Sequence, residues 1–174
     1  MRAVVCRAWG AVEDLTLEDV PAPTPGPGEV LIDVRATAVN YADALLVAGR
    51  YQTKPPLPFS PGLETAGVVA ACGDGVTRFS PGDRVMAVLA YGGLAERAIA
   101  PAAETFTIPA GMSFDEAGAF PIAYISSHVA IRWQGRLRPL VSHRLPLERT
   151  IEAIRLLTDR KAHGKIVIAP GAVR

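Results

Sequence analysis

From Met1 to about Ile108 the apolar positions come in short runs broken by Pro- and Gly-rich stretches, the pattern of strands joined by turns. Met1–Arg7 alternates loosely and is predicted as a strand, and Leu15–Val20 as a second. PAPTPGPGE (Pro21–Glu29) cannot supply a regular ladder, because each proline lacks an N–H. Glu29–Val39 reads as a long strand and Asn40–Gly49 as a helical turn. The proline-rich stretch Gly49–Gly62 is a surface loop. Thr65–Cys72 is the next strand, ended by a turn at Cys72–Gly75. Ser80–Leu89 is a turn followed by a strand, Pro81-Gly82 suiting a type II turn. Gly92–Ala100 and Thr105–Ile108 complete the strands of this part.

The period then lengthens. Ser113 followed by Glu116 is a capping box that opens a helix. Pro121 interrupts, and Ile122–Leu137 continues as a second helical segment. Pro146 at a first helical position, with Glu148 in the first turn, opens a third. Its Leu147, Ile151, Ile154 and Leu157 share one helical face, Gly164 closes it, and Lys165–Ala169 is a last strand. Strands followed by helices predict an α+β fold with an antiparallel barrel-like core.

Composition narrows the classes. With 49% hydrophobic residues the chain can build a core, and with 20% charged residues and a net charge of +1 it is no bulk nucleic-acid binder. No apolar run approaches the roughly 18 residues of a membrane span. Two distant cysteines, Cys6 and Cys72, make no disulfide framework or C-x-x-C metal pattern, so reduced thiols in a cytoplasmic protein are expected. Charge is uneven: Met1–Ile131 holds eight basic and fourteen acidic residues, Arg132–Arg174 ten and three. The basic end could meet phosphates, although a solvated helix face is the commoner reason for such a run.

One carboxylate stands out. Glu64, in PGLETAGVV, opens an apolar strand with no cationic or histidine neighbour in sequence. A partly buried carboxylate accepting backbone or Arg hydrogen bonds is the expected reading. Other chemistry is poorly supported. His128, His143 and His163 lack ligand spacing, Ser126-Ser127 has no G-x-S-x-G elbow, and no Walker loop occurs. Nor is there a dinucleotide turn leading from strand to helix: GDGVTR (Gly73–Arg78) lacks the third glycine, while PGPGEV (Pro25–Val30) and YGGLAE (Tyr91–Glu96) lead into strands.

Four stretches in order resemble the zinc-free branch of the medium-chain dehydrogenase/reductase superfamily, the NADPH:quinone oxidoreductases. They are AVNYADALLVAGRY (Ala38–Tyr51), PGLETAGVV with SPGDRV, GGLAERAIAP with AGAFPIAY, and the C-terminal Arg136–Ile168. The resemblance implies a GroES-like β-barrel catalytic domain, NADPH as cofactor, and a quinone or enone as substrate. Where zinc-bearing relatives place a histidine and a cysteine, this chain has Leu63 and Asn40, so no metal is expected. By the same resemblance Tyr51 lies at the substrate pocket as the catalytic candidate. Asn40 and Ser127 face the nicotinamide end of the cofactor, and Lys165 its pyrophosphate. Each has an ordinary alternative: a helix cap for Asn40, a plain helix residue for Ser127, a solvated strand end for Lys165 and loop packing for Tyr51.

Relatives carry a nucleotide domain between an exit helix and a return segment, and here the exit helix runs straight into the return segment at GRLRP (Gly135–Pro139). The resemblance implies an in-frame deletion. The expected organisation is a barrel over residues 1–124, a former interdomain helix and junction over 125–145, and a C-terminal helix and strand over 146–174 returning to the barrel, with no Rossmann domain. NADPH is then expected to bind weakly or not at all, and activity to be weak or lost. Ile122, Ile125, Val129 and Trp133, apolar positions that relatives bury between domains, predict a homodimer, with exchanged C-terminal segments as one route. The alternative is a non-enzymatic dimeric barrel or binding module derived from the reductase.

Overall fold

The computed structural model describes residues 1–125, 141–145, 156, 161 and 165–168. The chain divides into two compact units, Met1–His128 and Val129–Arg174. In the first, β1 (Arg2–Val5) pairs antiparallel with β2 (Thr16–Asp19). β3 (Glu29–Ala36), β4 (Glu64–Cys72), β5 (Arg84–Val88), β6 (Arg97–Pro101) and β7 (Thr105–Thr107) make one antiparallel sheet in the order β6-β3-β4-β5-β7. Helix α1 (Tyr41–Val47) follows β3, and α2 (Phe114–Gly118) follows β7. The second unit contains a parallel pair, β8 (Val141–Leu145) with β9 (Lys165–Ile168).

The α+β class and GroES-like strand order hold, but the expected closed barrel does not form. The five-stranded sheet ends at β6 and β7, and the β1–β2 pair is separate from it. Outside its own pair β1 makes an isolated bridge, Ala3 with Ala95, and Cys6 just beyond it makes another with Phe59, both to irregular segments. Two features oppose closure. Pro101 ends β6 without an N–H to donate, and β7 is three residues long with Pro109 close behind.

Strand alternation sorts side chains onto the two sheet faces. Val30, Ile32, Val69, Val85, Ala87, Ala98 and Ala100 pack with Phe79 and Leu89 in one core cluster. Ala66 and Met86 pack against Ile108 and Ala117 in another, beneath α2. The capping box is formed: Ser113 Oγ accepts from the Glu116 N–H at 3.2 Å, and Glu116 Oε2 accepts from the Ser113 N–H at 2.8 Å. The Ser113 N–H and then the Ser113 hydroxyl, both donating to Oε2, hold the Glu116 carboxyl below its ordinary range. At Ser80–Asp83 the Asp83 N–H donates to Ser80 O at 3.1 Å and Gly82 has φ of 99°, as a type II turn requires at its third position. Both cysteines are free, and burial pushes the Cys6 thiol up.

A third cluster carries the site. Cys6, Leu46, Val47, Phe59 and Leu63 are buried together, with Leu15, Ala42, Tyr51 and Ile122 partly buried against them. It joins the end of β1, α1, the proline-rich loop and the segment after α2, the elements that surround Asn40.

Candidate functional site

Asn40 stands at the N-cap of α1 with extended backbone, φ −115° and ψ 156°. Its side chain makes no capping hydrogen bond. Instead Nδ2 donates to Glu64 Oε1 at 2.8 Å. The other carboxyl oxygen, Oε2, accepts from the Ile122 N–H at 2.8 Å, across 58 residues of sequence. Glu64 is thus fully buried, at 1% exposure, with both oxygens engaged by N–H groups. The expectation of a buried carboxylate taking a backbone donor is met, and its second donor is an asparagine rather than an arginine.

Asp43, also buried, holds the backbone around this pair. Its Oδ2 accepts from the Asn40 N–H at 2.7 Å and its Oδ1 from the Gly62 N–H at 3.0 Å. On the strand side the Thr37 hydroxyl donates to Gly93 O at 2.8 Å, with Thr65 Oγ1 3.0 Å away. Glu64, Asp43, Thr37 and Thr65 therefore tie the end of β3, the start of α1, the start of β4 and the 92–94 loop into one polar frame under Asn40.

The segment after α2 enters as a π-helical turn, Pro121–Ile125, where the sequence predicts an ordinary helix. Pro121 has no N–H and the Ile122 N–H goes to Glu64, so the first turn is anchored by a side chain. Phe120 and Tyr124 stack with ring centroids 4.9 Å apart. Ile122, expected on an exposed stripe, is partly buried on the Cys6–Leu63 cluster. The Ile125 side chain, Val129 and Trp133 lie outside the described residues. Large apolar side chains do stand open beside Asn40 in sequence and after Ile122: Val39 is 74% exposed, Tyr41 82% and Tyr124 61%.

Of the other predicted site residues, Tyr51 is the one described in the same unit as Asn40. Tyr51 packs partly buried against the cluster of Leu46 and Phe59, and no side-chain hydrogen bond links it to Asn40 or Glu64. Ser127 lies outside the described residues. Lys165 begins β9, in the second unit. An apolar cavity of about 600 Å³ opens between β1, β6 and the loops at Phe59 and Tyr91, and neither Asn40, Tyr51 nor Glu64 lines it. Glu64, Asp43 and Thr37 are the site residues that sequence reasoning left without a role. A carboxylate opening an apolar strand is the one local signal that could have pointed to the first.

Leu63, at the position of the relatives' zinc-binding histidine, is 3% exposed in the apolar cluster. Among the described residues no three His, Cys, Asp or Glu side chains gather to hold a metal. Purified protein is expected to carry far less than one zinc per chain after mild dialysis; elemental analysis near one per chain would contradict this.

The described residues do not fit a whole dinucleotide. They provide Asn40 and no glycine-rich turn leading from a strand into a helix N-terminus, the arrangement that receives a pyrophosphate. Among the described residues no helix is long and apolar enough to cross a membrane.

Comparison with known proteins places this arrangement. The alcohol dehydrogenase GroES-like domain matches residues 26–110. The synaptic vesicle membrane protein VAT-1 homolog of Rattus norvegicus is 41% identical over 141 residues, covering 80% of this chain and 35% of that protein. Quinone oxidoreductase-like protein 2 of Rattus norvegicus is 39% identical over 139 residues, covering 79% and 39%. Among solved structures, the human VAT-1 homolog-like protein superposes with a TM-score of 0.75 at 28% identity, over 97% of this chain and 61% of that one. The quinone oxidoreductase of Thermus thermophilus, solved also in complex with NADPH, gives 0.67 at 30% identity, over 98% and 53%. The fold and the family match thus define a GroES-like domain of the alcohol dehydrogenase type. The chain belongs to the zinc-free, quinone-oxidoreductase-related branch of the medium-chain dehydrogenase/reductase superfamily. The chain spans about a third of the length of the curated relatives it matches.

Proposed function

We propose that this chain carries the substrate-side half of an NADPH-dependent quinone or enone reductase, and that by itself it binds NADPH weakly and turns over near background. The Asn40–Glu64–Ile122 connection carries this reading. It holds a neutral amide where metal-bearing relatives have a zinc ligand, and fixes it to the segment that leads out of the domain. In the proposed roles Asn40 and Ser127 meet the nicotinamide end, Lys165 the pyrophosphate, and the Tyr51 phenol a quinone oxygen. Similarity to quinone oxidoreductases supports the substrate class, and a cytoplasmic location goes with it. Division into a sheet domain over 1–124, a junction over 125–145 and a return segment over 146–174 belongs to the same proposal, as does an internal deletion of the nucleotide domain.

Weak binding follows from magnitudes. A charge-assisted hydrogen bond contributes about 1.5–3 kcal/mol, whereas a micromolar complex requires about 8 kcal/mol. Asn40, Ser127 and Lys165 together barely approach that before ordering costs. NADPH oxidation with a soluble quinone, followed by the absorbance of the reduced nicotinamide, is expected to stay near the enzyme-free rate, because nothing among the described residues clamps the two reactants together. Quinone-dependent turnover well above background, lost in Asn40→Ala, would show a complete site.

Val39, Tyr41 and Tyr124 favour a second element of the proposal, self-association to a homodimer. Light scattering at tens of micromolar is expected to give twice the chain mass. A strict monomer would remove the dimer, and with it the reading of the chain as a dimeric non-enzymatic module.

A further inference from the structure

We infer that Glu64 is a positioning residue that fixes the Asn40 side-chain amide with its nitrogen inward and its oxygen as the free end. The inference rests on the reading of Asn40 as a site residue and goes beyond it in assigning the polarity of that site.

The two ends of an asparagine amide have nearly the same shape, so orientation follows from the partner's chemistry. Here the partner is a carboxyl group. The Ile122 backbone N–H can only donate, and it occupies Oε2 at 2.8 Å. That leaves Oε1 as the acceptor facing Asn40, and only Nδ2 can donate to it, at 2.8 Å. The backbone on either side is already held, since the Asn40 N–H goes to Asp43 Oδ2 and the other Asp43 oxygen takes the Gly62 N–H. Side-chain rotation is the remaining freedom, and Glu64 removes it. Asn40 Oδ1 has no protein partner among the described residues, and Asn40 is only half-buried, between the exposed Val39 and Tyr41.

The free end of the amide is therefore an acceptor. It suits a ligand group that donates, such as a hydroxyl or an amide N–H. A bare quinone carbonyl, which can only accept, finds no match at Oδ1. One carboxylate also serves both Asn40 and Ile122, so the polarity of the site is tied to the placement of the π-helical turn.

Asn40 is the only asparagine in the chain, so ¹⁵N-asparagine labelling yields one side-chain NH₂ group and one backbone amide. In the wild-type chain at least one Nδ2 proton is expected to exchange with solvent roughly tenfold slower than in free asparagine, the mark of a hydrogen bond of ordinary strength. In Glu64→Gln the new side chain can keep its oxygen on the Ile122 N–H only by presenting its own NH₂ to Asn40. The Asn40 amide then turns over, and the protection is lost while a uniformly ¹⁵N-labelled sample retains the rest of the backbone spectrum. A glutamate that merely anchored Ile122 would leave the Asn40 signals unmoved. Free exchange in the wild type, or protection unchanged in Glu64→Gln, overturns the inference. Should that variant fail to fold, wild-type cross-relaxation between the Asn40 Hδ2 and Glu64 Hγ protons decides: its presence sustains the inference and its absence overturns it. The spectrum does not depend on turnover. Quinone turnover well above background with a protected Nδ2 proton removes the functional reading alone, and an unprotected proton in a chain that turns over near background removes this inference alone.

Discussion

Glu64→Ala is expected to lower the stability of the first unit by about 3 kcal/mol, a large share of the roughly 5–15 kcal/mol typical of a domain. The carboxylate is buried at 1% exposure, and truncation strands two donors at once, Asn40 Nδ2 and the Ile122 N–H. Each stranded donor costs about 1–3 kcal/mol when water cannot replace its partner. Water reaches half-buried Asn40 in part, so the sum falls below the upper limit. Urea unfolding followed by circular dichroism should show a lower midpoint at unchanged slope. A change within about 0.5 kcal/mol, the range of ordinary surface substitutions, would mean that the carboxylate holds nothing together.

Gly67→Ala is expected to cost about 3 kcal/mol or more, at the upper end of what overpacking usually costs. Gly67 lies on β4 in the middle of the sheet, opposite Val34 of β3 and Val85 of β5. A Cβ there would stand 2.1 Å from Asp33 O and 2.8 Å from Ile32 Cγ2. The nearest atom belongs to the backbone of a paired strand, so no side chain can swing away to make room. The register slips beside this glycine: Val34 faces Gly67 and Ala36 faces Ala66, with Arg35 as the extra residue. β3 bends toward Thr37 and Asn40 past that bulge, so the close approach at Gly67 also shapes the route into the site. Gly75→Ala is the control, because a Cβ there meets nothing within 4 Å and only its φ of +79° resists the change. Equal losses for the two variants, measured by urea unfolding, would contradict the steric reading.

The strands were legible where periodicity and turn residues act locally. Thr65–Cys72 differs from β4 by one residue at its start, and the Ser113–Glu116 capping box appears as predicted. Predicted strands ran long where an apolar stretch continued beyond its ladder. Glu29–Val39 stops at Ala36, because Thr37 turns to bond Gly93 O and Asn40 begins a helix. Barrel closure was not legible, since it depends on which distant edge β1 meets, and β1 and the following Cys6 meet irregular residues, Ala95 and Phe59. At the site, residue type alone at Leu63 and Asn40 carries the expectation that no zinc is bound. The role of Glu64 stayed hidden because its partners are 24 and 58 residues away, and because the π-helical turn that presents the Ile122 N–H was read as an ordinary helix.

A calorimetric titration of the chain with NADPH tests the central claim most directly. On the proposed reading a substrate-side half-site, organised around Asn40 by Glu64, lacks the means to bind a dinucleotide tightly. Heats that fail to saturate through the micromolar range, about 8 kcal/mol of binding free energy, are the expected result. Saturation at micromolar NADPH, abolished by Lys165→Ala, would contradict the account and show that the chain builds a working cofactor site.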